Sequence, residues 1–171
     1  MDRNAILNIL NQLQSSGFRD VAGARIVADV PLSARLINEV VTASIPLNVP
    51  VREVAIRPEA GGQFSVRITP RASLLPPLTL RLQIERQPEF PAFPVLVMRM
   101  KTMGGLFGLA TAALPIGNML PPGVRLEGER ILVDLAALAA QRGFADTVQY
   151  VRRLTIDSEE GRVLLHVEAA V

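Results

Sequence analysis

The sequence contains no cysteine and a single histidine, His166. Without cysteine the chain forms no disulfide, no zinc–thiolate site and no thiol nucleophile. A transition-metal site would then have to be built from carboxylates, which such metals seldom use without nitrogen or sulfur ligands. We therefore predict no metal site. His166 lies on the polar side of an alternating pattern, which is typical of a surface position on a strand.

Aromatic residues and lysine are also scarce. The chain has one tyrosine, no tryptophan and six phenylalanines, and Lys101 is the only lysine among 18 cationic residues. The net charge is +2, and the arginines are spread along the chain instead of forming a block. Nucleic-acid binding usually needs clustered cations together with exposed aromatic side chains. We therefore predict no nucleic-acid partner.

Known catalytic motifs are missing from the sequence. No G-x-S-x-G elbow presents a serine, and the glycine run at 104–108 lacks the Lys-Ser/Thr that completes a P-loop. Two carboxylate pairs, Glu127 with Glu129 and Glu159 with Glu160, adjoin glycines in predicted turns, where solvent keeps carboxylates ionised. We predict that the chain is not an enzyme, has no catalytic residues and uses no cofactor.

The N-terminal region lacks the features of a secretory signal. Residues 1–4 carry no strongly basic leader, and the apolar stretch over 5–13 is interrupted by Asn8, Asn11 and Gln12. This pattern predicts a cytoplasmic location, including the inner membrane surface, where peripheral membrane contact is one interpretation.

Hydrophobic residues make up 49% of the chain, and their spacing predicts its helices. An apolar stripe at helical spacing predicts an N-terminal helix within 1–17. Ser33 is a predicted N-cap for a helix whose stripe runs through 36–41, and Pro31 is expected to end the strand before it. Asp134 is a predicted N-cap for a helix over 135–142, with Gly143 at its end.

Alternation with a period of two predicts most of the remaining chain as strands. The first hairpin spans 54–69 with an expected five-residue connection at 58–62, and the last spans 148–169 with an expected turn at 157–161. Short turns between consecutive strands favour antiparallel pairing. We predict a single domain over 1–171, with the N-terminal helix at 1–17 and the rest at 23–171. Its class is α+β, a strongly curved antiparallel sheet (a half-barrel) wrapped against short amphipathic helices.

The longest uncharged run lies between Lys101 and Arg125. A helix that spans a bilayer needs about 20 apolar residues, whereas Pro115 and the Pro121-Pro122 pair leave about a dozen here. The run therefore predicts a buried or half-buried helix that closes the apolar side of the sheet.

The order of elements carries a resemblance to a known family. A strand passes through a proline into an amphipathic helix over 24–41, the run Leu-Pro-Pro-Gly-Val follows at 120–124, Val-Asp-Leu at 133–135, and a final hairpin turns at Gly161. From Gly23 to the C-terminus this resembles the bacterial tubular-lipid-binding (TULIP) proteins, including the LmeA-like envelope proteins. The resemblance implies a curved sheet that encloses an apolar groove for acyl chains, and it implies no catalytic residue.

Our leading hypothesis is therefore that the chain binds lipid or another hydrophobic ligand in such a groove. Arg99 or Lys101 would meet a head group at its rim. The strand residues predicted to form the groove wall are Phe64, Val66, Ile68, Leu80, Leu82, Ile84, Leu96, Met98 and Met100. The predicted lid residues are Leu106, Phe107, Leu109, Leu114 and Met119.

The alternative is a structural or interaction protein that binds no ligand. In this interpretation a homodimer buries the uncharged segment over 103–119, which would otherwise be an exposed apolar patch.

Overall fold

We describe the protein from a computed structural model, which covers residues 23–45, 49–72, 76–101, 120 and 122–171. Within these ranges the chain forms nine strands and three short helices. The strands are β1 Arg25–Ser33, β2 Val51–Glu59, β3 Gln63–Pro70, β4 Leu78–Arg86, β5 Val95–Lys101, β6 Val124–Glu127, β7 Arg130–Asp134, β8 Val151–Glu159 and β9 Arg162–Ala170. The helices are α1 Ala34–Ser44, α2 Leu135–Gln141 and α3 Ala145–Val148.

The strands form two antiparallel sheets. Six of them make a strongly curled half-barrel in the order β2-β3-β4-β5-β7-β6, and the other three form a separate sheet in the order β1-β9-β8. The predicted α+β class with a curved antiparallel sheet is therefore confirmed. The division into two sheets goes beyond the prediction. It arises because β1 pairs with the C-terminal strand, from Arg25 opposite Ala170 to Ser33 opposite Arg162.

The core lies between the two sheets. Its buried members come from both of them, with Leu82 and Met100 on the half-barrel and Ile156 and Val163 on the three-stranded sheet. Side chains alternate between the two faces of a strand, so each sheet contributes one apolar row per strand to this core. β4 shows this alternation most clearly, since Leu80 and Leu82 are buried and Thr79 and Arg81 are exposed.

Backbone and side-chain hydrogen bonds join the sheets where two hairpins meet. The Gly161 N–H donates to the Pro58 carbonyl at 3.0 Å. The buried Ser158 hydroxyl donates to the Glu59 carbonyl at 2.6 Å. These bonds fix the tip of the β8–β9 hairpin against the β2–β3 hairpin.

The expectation that Pro31 ends its strand is wrong. β1 continues through Pro31, which lies opposite Leu164, and ends at Ser33. A proline lacks a backbone N–H, and an edge strand can accommodate it because that side of the strand has no partner. β1 is such an edge strand.

The five-residue connections predicted for the first and the last hairpin are both longer than the connections in the structure. Pro58 lies within β2, opposite Phe64, so residues 60–62 alone connect β2 to β3. The last hairpin pairs as far as Glu159 opposite Arg162. At both sites, residues predicted to form the turn are paired within strands instead. The hydrogen bonds between the β2–β3 and β8–β9 tips hold them there.

The predicted helix caps are confirmed. The Ser33 hydroxyl accepts a hydrogen bond from the Leu36 N–H at 3.3 Å, and the Asp134 carboxylate accepts one from the Ala137 N–H at 2.9 Å. Gly143 follows α2 with a φ of +81°, which suits glycine. The predicted N-terminal helix and the helix expected near 105–114 lie outside the described residues. In the part of the chain described, no helix is long and apolar enough to cross a membrane.

Candidate functional site

The structure brings the predicted wall residues together in one cluster. The buried members are Phe64, Leu80, Leu82, Leu96 and Met100, and the half-buried residues packed against them include Val66, Ile68, Ile84 and Met98. Ile156 and Val163 of the three-stranded sheet pack into the same cluster. In this part of the molecule the apolar rows therefore contact protein. The predicted lid residues Leu106, Phe107, Leu109, Leu114 and Met119 lie outside the described residues.

The apolar face of the three-stranded sheet extends beyond this core. Val163 is 5% exposed, whereas Val30 and Ile26, farther along the same face, are 38% and 53% exposed. The register shows that they share this face, since Leu32 lies opposite Val163 and Ile26 opposite Ala169. We call this surface the apolar strip. Its residues are Ile26, Ala28 and Val30 on β1 and Leu165, Val167 and Ala169 on β9.

The sequence contained a signal for the apolar strip that our site prediction did not use. Apolar residues alternate on both β1 and β9, but the two rows are far apart in the sequence. Only the pairing of β1 with β9 joins them into one surface. The strip was therefore missed because periodicity assigns a residue to a face without naming the strand beside it.

The opposite face of the same sheet is mostly polar. His166 Nδ1 lies 2.6 Å from Asp29 Oδ1, as expected for a surface histidine on a strand. Glu168 binds two guanidinium groups, those of Arg25 and Arg153, each at 3.1 Å. This face also carries the apolar residues Pro31, Leu164 and Ala170. Val27 is its large hydrophobic residue with high exposure, at 55%. The three-stranded sheet is thus amphipathic, with the apolar strip on one side.

Arg99 does not lie at the rim of an apolar groove. Its neighbours Met98 and Met100 belong to the core side, so Arg99 points to the outer face of the half-barrel. There Arg99 and Arg130 both bind Glu85 through two nitrogen atoms each, at 2.6 to 3.1 Å. Hydrogen bonds from Arg130 and Arg99 lower the pKa of Glu85 to about 2. A head-group role for Arg99 would require this ion pair to break.

Other candidate sites offer little chemistry. A shallow, open hollow of about 490 Å³ beside α1 is lined by Arg35, Asn38, Glu39, Thr42 and Ala43. It contains none of the predicted site residues. Among the described residues, no group of three or more histidine, aspartate or glutamate side chains could hold a metal ion.

The two carboxylate pairs singled out in the sequence lie at the surface. Glu127, Glu129, Glu159 and Glu160 are all exposed. Glu159 pairs with Arg162, and Glu160 pairs with Arg57 across the hairpin junction. Glu127 and Glu159 end β6 and β8, and Glu129 and Glu160 lie in the turns that follow.

Comparisons with protein-family models, with curated proteins and with solved structures find no match for this chain. The fold defines an α+β protein with a half-barrel sheet. The resemblance to TULIP proteins stays a prediction.

Proposed function

We propose that this protein binds a lipid or another hydrophobic molecule, without catalysis, in an apolar groove whose accessible wall is the apolar strip of the three-stranded sheet. The observation that supports this proposal is the apolar strip. A face that is buried at Val163 becomes more than half exposed at Ile26 without any change in its apolar character. Exposed apolar surface of this kind is what a hydrophobic ligand removes from water.

The composition of the strip suits an acyl chain. Its residues are aliphatic, and the β-branched ones hold fixed rotamers, so they form a stiff wall without polar atoms. Burying one methylene group contributes about 0.8 kcal/mol. Contact with several methylene groups would therefore offset the ordering of a flexible chain.

The proposed location is the cytoplasm, including the inner membrane surface, where such a ligand would be available. The proposal includes the role that the resemblance to TULIP proteins implies, which is binding of acyl chains in the groove.

The first test is ligand binding by delipidated protein. We expect a fluorescent fatty acid or phospholipid to bind the wild-type protein, and native mass spectrometry of protein purified from cells to detect a bound lipid mass. The variant Ile26→Thr/Val30→Thr keeps β-branched residues but removes apolar contacts. We expect it to bind the probe at least about tenfold more weakly, since each lost methylene contact contributes about 0.8 kcal/mol.

Val27→Thr is the matched control for this test. Val27 is on the same strand and as exposed as Ile26, but it lies on the opposite face. Its replacement should leave probe affinity unchanged. Wild-type protein that binds neither probe would contradict the proposal, and so would equal losses in the control and the strip variant.

A homodimer is the second candidate, and Val27 is the observation that favours it. A groove on one face of β1 does not account for an exposed valine on the other face, whereas a partner chain along the edge of β1 would cover both. In the alternative predicted from the sequence, such a dimer would also bury the uncharged segment over 103–119. Sedimentation velocity distinguishes the candidates, because a monomer at all concentrations contradicts the dimer.

A further inference from the structure

Two cations lie directly opposite each other on the outer face of the half-barrel. Arg81 on β4 is the register partner of Lys101 on β5. Arg67 lies on the neighbouring strand β3, next to Arg81 along the same face, since Ser65 is the residue opposite Arg81. All three side chains are exposed. We call Arg67, Arg81 and Lys101 the outer cation cluster.

Like charges directly opposite each other destabilise a sheet, and the next row of the same sheet shows how this molecule offsets such a pair. There Arg99 lies opposite Arg130, and Glu85 binds both of them. Among the described residues, no carboxylate pairs with Arg67, Arg81 or Lys101 in the same way. The outer cation cluster is therefore a group of neighbouring cations on this face whose positive charge is left for an external partner.

The carboxylates that border the cluster form no ion pair with it in the part of the chain that the structure describes. Glu53 on β2 lies opposite Thr69 and is therefore a diagonal neighbour of Arg67 on the same exposed face, yet the two side chains do not pair. Glu59, two strands away from β4, accepts a hydrogen bond from the Ser65 hydroxyl. Glu85 is held by its two arginines. Glu129 approaches the end of β5, where its backbone carbonyl accepts the Met100 N–H at 2.8 Å, but its carboxylate forms no ion pair with Lys101 in the described structure.

We propose that the outer cation cluster docks the protein on a membrane surface that carries anionic phospholipids. The three cations are spread over three neighbouring strands, which are about 4.8 Å apart, so they present charge across a surface instead of around a pocket. Such a two-dimensional array is complementary to a layer of lipid phosphates. The proposal is independent of the groove, because the cluster and the apolar strip lie on different sheets.

Nucleic acid is the other polyanion to consider. The face around the cluster presents Ser65, Thr79 and Gln83, and the one aromatic residue of β3, Phe64, faces the core. A surface that binds nucleic-acid bases usually offers aromatic side chains for stacking. The described residues here offer none, and this favours a lipid surface.

Vesicle co-sedimentation tests the proposal with the full-length protein. We expect binding to vesicles of mixed phosphatidylcholine and phosphatidylglycerol, and none to phosphatidylcholine alone. Binding should fall when the ionic strength rises from about 0.1 M to about 1 M, because the Debye length shortens from about 10 Å to about 3 Å. Arg81→Gln/Lys101→Gln should weaken binding about 25-fold, since each basic residue near an anionic surface contributes about fivefold.

The matched control is Arg35→Gln/Arg152→Gln. It removes the same charge from exposed positions on α1 and β8, outside the half-barrel. This control should bind as the wild type does, and equal weakening of the two variants would overturn the proposal. Ile26→Thr/Val30→Thr should also bind vesicles normally, so failure of the groove and failure of the cluster are distinguishable.

Lys101→Glu separates docking from folding. It places a carboxylate opposite Arg81, so the thermal midpoint should stay the same or rise. Vesicle binding should weaken about 25-fold, as in Arg81→Gln/Lys101→Gln, because the charge changes by the same amount. Wild-type protein that does not bind the mixed vesicles would overturn the proposal. So would a single-stranded or duplex oligonucleotide that binds more tightly than the vesicles in a fluorescence anisotropy titration and shows the same loss in Arg81→Gln/Lys101→Gln.

Discussion

Replacing Asn38 with alanine is expected to destabilise the protein by about 2 kcal/mol. Asn38 lies on α1 and joins it to β2, which is an edge strand of the half-barrel. Its amide nitrogen donates to the Ile56 carbonyl at 2.8 Å, and its amide oxygen accepts the Ile56 N–H at 2.6 Å. The same nitrogen donates to the Ala34 carbonyl at 2.7 Å. The side chain thus occupies the place of a neighbouring strand at Ile56.

The magnitude follows from these contacts. Three hydrogen bonds at about 1 kcal/mol each give a loss of about 3 kcal/mol. Alanine regains up to about 0.7 kcal/mol through its higher helix propensity. Asn38 is half-buried, so water can reach part of the exposed edge. A net loss of about 2 kcal/mol corresponds to a fall in the melting temperature of about 4 to 8 °C for a chain of this length.

Urea denaturation followed by circular dichroism measures the loss, and amide hydrogen exchange locates it. The Ile56 amide should lose protection in Asn38→Ala. Glu39→Ala is the matched control on the same helix, because its ion pair with Arg35 is highly exposed. That control should change the stability by about 0.5 kcal/mol or less. A stable Asn38→Ala variant with a protected Ile56 amide would refute the reasoning.

Two further predictions concern charge and packing. The pKa of Glu85 is lowered to about 2 from 4.5, so its ion pairs stabilise the fold fully above about pH 4.5 and lose this effect as the pH falls through about 2. The stability difference between wild type and Glu85→Gln should therefore shrink across that range in acid denaturation, and a difference independent of pH would contradict this. Leu82→Ala opens a cavity in the buried cluster and should cost about 2 to 5 kcal/mol in urea denaturation. Leu82→Met should cost less than about 1.5 kcal/mol, and equal losses would show that the site is not closely packed.

The local features of this fold could be read from the sequence. Alternation located the rows of β3, β4 and β5, because each strand has one face in the core. The caps at Ser33 and Asp134 were also predictable, since each hydroxyl or carboxylate bonds an amide three residues ahead. Several predicted wall residues, Leu82 and Met100 among them, lie in one cluster for the same reason.

The remaining features depend on contacts between distant parts of the chain. Glu85 binds Arg99 and Arg130, which are 14 and 45 residues away. No local pattern distinguishes those arginines from Arg81, which lies in a similar row without a carboxylate. The expectation that Pro31 ends its strand fails for a similar reason. The effect of a proline on a strand depends on whether that strand has a neighbour on both sides, which the local sequence does not show.

The free edges of the two sheets show why the apolar strip is a better candidate site than the buried wall. Gln87 pairs with both backbone groups of Ile156 on the edge strand β8, at 2.8 and 2.9 Å, as Asn38 does with Ile56 on β2. Amide side chains therefore occupy the hydrogen-bonding groups of these two edge strands beside the core. Ile156 is a member of that core and is 7% exposed. In the described structure β1 pairs with β9 alone, and its apolar face is 38% exposed at Val30 and 53% exposed at Ile26.

A ligand that enters along β1 has neither of these amide contacts to displace. A ligand that reached the Leu82 and Met100 wall would have to separate packed side chains of both sheets. If the protein binds lipid, substitutions in the strip should therefore weaken binding while preserving stability, and substitutions in the wall should reduce stability first.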